Sequence, residues 1–299
     1  MHSQKKAYLY AFSAIACWST IGSAFKISLR YLDPLGLLFF SSLVACGALF
    51  IILVIQKKLY LLKKVKRREI LTSAFLGLLN PFFYYVVLLK AYELLPAQEA
   101  GTLNYIWPLV LVLLSIPLLK QKISPWSIVA ILISFLGIAV ITTHGNLLSL
   151  HFSNPFGVIL AVFSAFFWGL YWIFNIKDPR EAVSKLFLNF CFGFLYSAAA
   201  LAITGGFIIP VFAGLAGAVY IGLFEMGITF ILWLNALKYS TTTARVSNLI
   251  YLSPFISLII IHLLVGETIL PSTVAGLVLI IGGIIFQQYL KEPLKKDPS

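Results

Sequence analysis

The chain has 299 residues, of which 61% are hydrophobic and only 11% charged, with a mean hydropathy of +0.98. An ordinary soluble domain carries about 25% charged residues, so a soluble enzyme is excluded. The net charge of +12 points to cationic loops at a membrane surface rather than to nucleic acid, and the longest polar stretch, 56–69, is too short for an ATPase within the chain.

A spanning helix needs about 20 apolar residues, so the length accommodates about ten. Apolar windows broken by charges, Pro and Gly predict them at 7–27, 34–55, 70–94, 97–119, 126–143, 155–176, 184–204, 214–237, 241–264 and 272–290. The first follows Lys5 and Lys6 and carries Trp18. Its Ala14-Ile15-Ala16-Cys17 is similar to a lipoprotein cleavage site but lacks the usual Leu, and the apolar run continues to Phe25. It is read as a retained span.

The third predicted helix carries Ser73, Gly77, Asn80, Tyr84 and Ala91 at spacings that share one helical face. The fourth carries Gly101, Asn104, Trp107, Pro108 and Ser115, and the sixth Ser164, Trp168, Tyr171 and Asn175. The eighth repeats the pattern of the third with Ala218, Gly222, Glu225, Thr229, Trp233 and Ala236. The ninth carries Ser247, Tyr251, Pro254 and Ser257. Helices 2, 5, 7 and 10 are blander and are placed at the periphery. Pro125 and Pro271 are placed at the starts of helices 5 and 10, where Pro is tolerated.

With the N-terminus in the cytoplasm, 19 of the 22 Lys and Arg residues fall on the cytoplasmic side. Lys26, Arg30 and Lys90 are left outside. The bias puts both termini inside.

The two halves match each other. An offset of 146 places Leu103, Tyr105, Pro108, Ile123, Pro125 and Gly137 on Leu249, Tyr251, Pro254, Ile269, Pro271 and Gly283. An offset of 145 pairs Gly77 with Gly222 and Asn80 with Glu225, and one of 150 pairs Trp18 with Trp168. Five helices per half is odd, so the second half, 155–290, is inverted relative to the first, 7–143. Inverted repeats are typical of secondary transporters, with a site near the midplane. The expected fold is therefore all-α and membrane-embedded, with ten helices in two inverted repeats around a central cavity.

The Trp18-Ser19 pair, the run Glu99 to Pro108 containing Asn104-Tyr105-Ile106-Trp107-Pro108, the segment 241–244 leading to Pro254, and Gly266-Glu267 resemble the drug/metabolite transporter superfamily, in particular its ten-helix bacterial exporters with two EamA domains. The run 104–108 is similar to that of aromatic amino-acid exporters. The resemblance implies a bacterial inner-membrane exporter of amino acids or other small metabolites. It also implies a cavity between helices 1, 3, 4, 6, 8 and 9. A multidrug or other metabolite carrier of the same fold is the alternative within transport; an integral membrane enzyme is the alternative of a different class, disfavoured because the chain offers one midplane acid and no nucleophile–base pair.

Glu225 stands 11 residues from each end of its helix, about 16 Å deep at ~1.5 Å per residue. A carboxyl at that depth is costly and marks function by default: it holds a substrate ammonium group, carries a proton, or ties two helices together. Trp18, Asn80, Tyr84, Asn104, Trp107, Trp168, Tyr171, Thr229, Trp233 and Tyr251 complete the candidate substrate-binding or gating set. Pro108 and Pro254 are expected to kink their helices. Glu99 and its mate Arg245 are read as interfacial anchors or as gate residues at opposite mouths, and Lys26 and Lys90 as anchors.

Cys17, Cys46 and Cys191 sit in apolar runs and read as buried hydrophobes. His2, His144, His151 and His262 form no metal-binding pattern, and no phosphate-binding loop or nucleophile motif occurs. No cofactor is expected. The partners expected are a small-molecule substrate and membrane lipid, the latter including anionic headgroups at the Lys-rich loop 57–68.

Overall fold

The computed structural model describes residues 4–119, 125–146, 154–206, 209–239 and 248–289. All regular structure among them is helical. The first half contains α1 (Gln4–Ser28), α2 (Pro34–Ile55), α3 (Tyr60–Lys63), α4 (Arg67–Gly77), α5 (Tyr84–Leu94), α6 (Ala97–Asn104), α7 (Trp107–Leu119) and α8 (Pro125–Thr142). The second contains α9 (Pro155–Lys177), α10 (Ala182–Thr204), α11 (Phe212–Ile221), α12 (Ile228–Tyr239), α13 (Leu252–Val265) and α14 (Pro271–Tyr289). Wide turns at Leu78–Phe83 and Gly222–Gly227 join α4 to α5 and α11 to α12. Among the described residues, five stretches are long and apolar enough to cross a membrane: Pro34–Ile55, Arg67–Leu94, Pro155–Asn175, Ala182–Thr204 and Phe212–Trp233. Shorter apolar helices accompany them.

Local chemistry sets the helix starts. Asp33 accepts from the Leu35 and Gly36 amides at 3.1 and 3.3 Å, ahead of Pro34. Asn154 accepts from the Gly157 amide at 2.9 Å, ahead of Pro155. Each side chain satisfies free N–H groups of the first turn. Pro125 and Pro271 stand first in their helices, as expected.

Four predicted helices depart from a continuous α-helix. In the third, Asn80 is extended (φ −150°, ψ 121°). Pro81 provides the cause: it lacks an N–H, its ring would clash with the carbonyl four residues back in a continuous helix, and a proline disfavours the helical region for the residue before it. In the fourth, α6 stops at Asn104, four residues before Pro108, and α7 begins at Trp107. Pro108 thus lies in a first turn. Pro254 likewise lies in the first turn of α13, behind a tight turn at Asn248–Tyr251. The expected mid-helix kink at Pro108 is therefore a break placed just ahead of the proline, and at Pro254 a tight turn runs directly into α13. In the eighth, the second wide turn, Gly222–Gly227, interrupts the helix, and the Thr229 hydroxyl in the first turn of α12 donates back to the Phe224 carbonyl in that wide turn. The segment 241–244, Arg245, Ser247 and His151 lie outside the described residues.

The bundle has two distinguishable ends. At one, basic end, Lys58 pairs with Glu181 at 2.8 Å and Arg180 binds Asp178. Burial alone would push the Asp178 carboxyl up, but hydrogen bonds and charge from Arg180, with the charge of Lys185, hold it below the ordinary aspartate value. At the other end, Lys26 Nζ donates to the Tyr92 and Leu95 carbonyls at 2.8 and 2.6 Å, closing the last turn of α5. Glu267 accepts from the Ala97 and Gln98 amides at 2.7 and 3.1 Å, capping α6. Glu99 is fully buried and lies 2.7 Å from His144 Nε2. Lys26 and Glu99 are thus not headgroup anchors, because helix termini and a histidine hold them inward. Lys90 instead makes an exposed pair with Glu93.

The contacts between halves are reciprocal. α1 packs on α11, α12 and α13, while α9 packs on α5, α6 and α7. Gly77 lies on the Asn189 carbonyl and Phe192, and Gly222 lies on the Ser41 carbonyl and Val44. Gly137 lies on the Gly276 carbonyl and Ile280, and Gly283 lies on the Ala130 carbonyl and Ser134. In each pair the absence of a Cβ lets two backbones approach, a common device of membrane helix packing.

Candidate functional site

A cavity of about 120 Å³ lies between α1, α5, α6, α9, the 222–227 turn and the start of α13. One water needs roughly 10–15 Å³ on this measure, so the space suits a small hydrated solute. It extends from Glu225 and Trp168 towards Ala97 and Gln98, the first residues of α6 and therefore near the end opposite Lys58 and Arg180.

Among the described residues, Glu225 is the only charged one that lines it. Its Oε1 accepts from the Tyr85 hydroxyl at 2.9 Å. Its Oε2 is buried without a hydrogen-bond partner among the described residues. The Trp18 indole stands beside the carboxylate but outside the geometry of a full hydrogen bond. Across the cavity, Tyr84 donates to Asn104 Oδ1 at 3.3 Å, and Asn104 Nδ2 donates to Ser164 Oγ at 2.8 Å. Trp18, Tyr84, Tyr92, Tyr105, Trp107 and Trp168 supply aromatic wall. Such faces attract cations electrostatically. The starts of α7 and α13 reach the same space through Trp107, Ser253 and Pro254. Helix N-termini carry partial positive charge.

The structure therefore brings together Trp18, Tyr84, Asn104, Trp107, Trp168, Glu225 and Pro254 among the expected residues. Five others do not line the cavity. Trp233 stands one layer behind, its ring 5.5 Å from that of Trp18. Thr229, in the first turn of α12, is fully buried and bonded to the backbone of the wide turn that precedes it. Tyr171 and Asn80 are fully buried, and Tyr251 is nearly so. The break at Asn80 divides the expected stripe. Below it Gly77 faces α10, and above it Tyr84 faces the cavity. The backbone break ahead of Pro108 borders the cavity through Asn104, Tyr105 and Trp107.

Tyr85, Tyr92, Gln98, Tyr105 and Ser253 are additions that the helical stripes did not single out. The wide turn before α5 adds a residue per turn and rotates the helix beyond it, which brings Tyr85 to Glu225. Pro81, inside an apolar run, is the sequence signal for that rotation.

A membrane-embedded helical protein with a polar, aromatic-walled cavity has the build of a solute carrier rather than of a soluble catalyst. The comparisons with known proteins agree. The model of the EamA-like transporter family matches twice, at residues 5–143 and 155–287, and the chain belongs to that family. It is 28% identical over 177 residues to an uncharacterized transporter of Clostridium kluyveri, a match covering 56% of each chain, so the chain spans about half the length of that relative. It is 23% identical over 286 residues to an uncharacterized transporter of Archaeoglobus fulgidus, covering 93% of this chain and 97% of the relative. A solved structure described as "Crystal structure of protein" shares the fold, with a TM-score of 0.67, 23% identity and coverage of 98% of this chain and 100% of that one.

Proposed function

We propose that the chain is a secondary transporter that exports small amine-bearing metabolites, amino acids foremost, by alternating access. The observation that carries this reading is Glu225: a carboxylate alone among the described cavity-lining residues in being charged, with one oxygen fixed by Tyr85 and the other unpartnered. A substrate ammonium group completes it, and the aromatic wall accepts the carbon skeleton. The starts of α7 and α13 then offer their partial positive charge to a carboxylate.

The reading takes the ten apolar segments as spans and the halves 7–143 and 155–290 as inverted repeats. The reciprocal glycine contacts and the exchanged packing of α1 and α9 support it. The basic end is assigned to the cytoplasm of a bacterial inner membrane, with both termini inside. The cavity then faces outwards. Trp18, Tyr84, Asn104, Trp107 and Trp168 bind. Thr229, Trp233, Tyr251 and Tyr171 act at the moving boundaries.

A second reading, carriage of cationic drugs, is favoured by the absence of Lys and Arg from the described lining. Purified protein in liposomes, offered labelled amino acids, nucleosides and organic cations with and without a pH gradient, separates the two. Uptake of amino acids supports the first. Movement of cations alone replaces it with the second. Movement of no solute refutes both.

A further inference from the structure

The correspondence between halves maps the open cavity onto a closed region at the basic end. Ile21, Gly22 and Phe25 of α1 line the cavity beside Trp18. At the offset that pairs Trp18 with Trp168, their mates in α9 are Tyr171, Trp172 and Asn175. The mate of Glu225 is Asn80. Asn80, Tyr171 and Asn175 are buried, in a polar layer where the 78–83 turn packs on α9 and α10. Asn80 and Asn189 are fully buried, and all four of their side-chain polar atoms have no hydrogen-bond partner among the described residues. Asn175 Nδ2 donates to the Tyr171 hydroxyl at 3.0 Å, and Tyr171 stands next to Asn189. The layer runs on to the basic end: Lys185 Nζ donates to the Asn175 and Asp178 carbonyls at 2.9 Å each. Arg180, bound to Asp178, also donates to Ser73 at 2.8 Å.

An aromatic cluster packs beside this layer. Phe230 lies 5.7 Å from Trp168 and 6.2 Å from each of Trp172 and Phe190, ring to ring. Trp168 also lines the open cavity. The cluster thus stands between the two compartments. Unpartnered amides in a membrane interior are expensive if they stay dry permanently. Leucine would serve a fixed packing position better.

We propose that Asn80, Tyr171, Asn175 and Asn189 form the wall of a second vestibule, closed here, that opens to the basic end when the Phe230 cluster parts. Its amide and phenol oxygens, with water, receive the same substrate ammonium group that Glu225 holds in the outward cavity. The inference rests on the alternating-access reading.

The test uses the full chain with Cys17, Cys46 and Cys191 replaced by Ala, in a form that still transports. Asn175→Cys and Ser257→Cys are labelled with a membrane-impermeant maleimide in inside-out and right-side-out vesicles. Ser257→Cys should react from the outer side. Asn175→Cys should react from the cytoplasmic side, at a rate that a transported solute changes several-fold. Silence of Asn175→Cys from both sides, in a protein that transports and labels at Ser257→Cys, overturns the vestibule while leaving the carrier reading intact. Absence of transport for every solute overturns the carrier reading itself. As a second measurement, Asn189→Leu should melt no lower than the parent yet transport at least tenfold more slowly. Transport at the parent rate refutes the proposal.

Discussion

Gly222→Ala is the most direct test of the packing between the halves. A Cβ built on Gly222 would stand 2.5 Å from the Ser41 carbonyl oxygen, 2.7 Å from Val44 Cβ and 2.9 Å from Val44 Cγ1. Ordinary carbon contacts lie near ~3.5–4.0 Å, so α2 and the 222–227 turn must separate by about 1 Å. The nearest atom is backbone, which no rotamer change can move aside. Overpacking of this kind costs about 1–3 kcal/mol, against a gain of up to about 1 kcal/mol from replacing Gly by Ala in a helix. The expected net loss is ~1–2 kcal/mol, with cavity geometry disturbed because Glu225 lies within the same turn. Gly47 is the internal control: it sits in α2, and a methyl placed on it would have no neighbouring atom within 4 Å, so Gly47→Ala should be neutral or stabilising. Thermal melting of the purified protein in detergent reads the difference. If Gly222→Ala melts as high as Gly47→Ala, the close backbone approach is wrong.

Three further outcomes are expected. Glu225→Gln should lower transport of an amine substrate by about 10- to 150-fold, since a hydrogen bond to a charged group is worth about 1.5–3 kcal/mol, with expression and melting preserved; an unchanged rate would remove Glu225 from the site. Glu267→Gln weakens the cap on α6 by removing the charge that Ala97 and Gln98 face, and hydrogen exchange of those amides should rise severalfold, whereas unchanged protection would contradict the cap. Asp178 has its carboxyl lowered in the folded state, so its stabilising contribution is fully present above the unfolded value of about 3.9 and is lost as pH falls from there through the folded value. The melting advantage of the parent over Asp178→Asn should therefore shrink below about pH 4, and an advantage that grows on acidification would show the sign to be wrong.

Much of the architecture is written in one-dimensional patterns. The apolar windows around Pro34–Ile55 and Ala182–Thr204 coincide with long helices because nothing in them interrupts the backbone. The pairing of Gly77 with Gly222 survives in three dimensions because both glycines serve one steric purpose. Glu225 was legible because an isolated carboxyl in an apolar helix is costly. The helical stripes failed where the helix itself failed. Asn80 shares a face with Tyr84 only in an uninterrupted helix, and Pro81 removes that continuity. Tyr85 reaches Glu225 through the resulting rotation, which spacing arithmetic at 3.6 residues per turn does not contain. Lys26, Glu99 and Glu267 were hidden for another reason. Their partners are carbonyls, amides and a histidine brought close by tertiary packing, and no local spacing encodes these.

The crossed glycine contacts carry a consequence for how the molecule is assembled. The groove at Gly77 is filled by α10, and the groove at Gly222 is filled by α2. Each half thus completes its partner's surface rather than its own. A chain cut between His144 and Asn154 would yield two fragments, each with a bare backbone furrow and no means of covering it. Neither fragment should persist alone, and the two expressed side by side should find each other. The cooperative unit is the interlocked pair, so its two halves stand or unravel together.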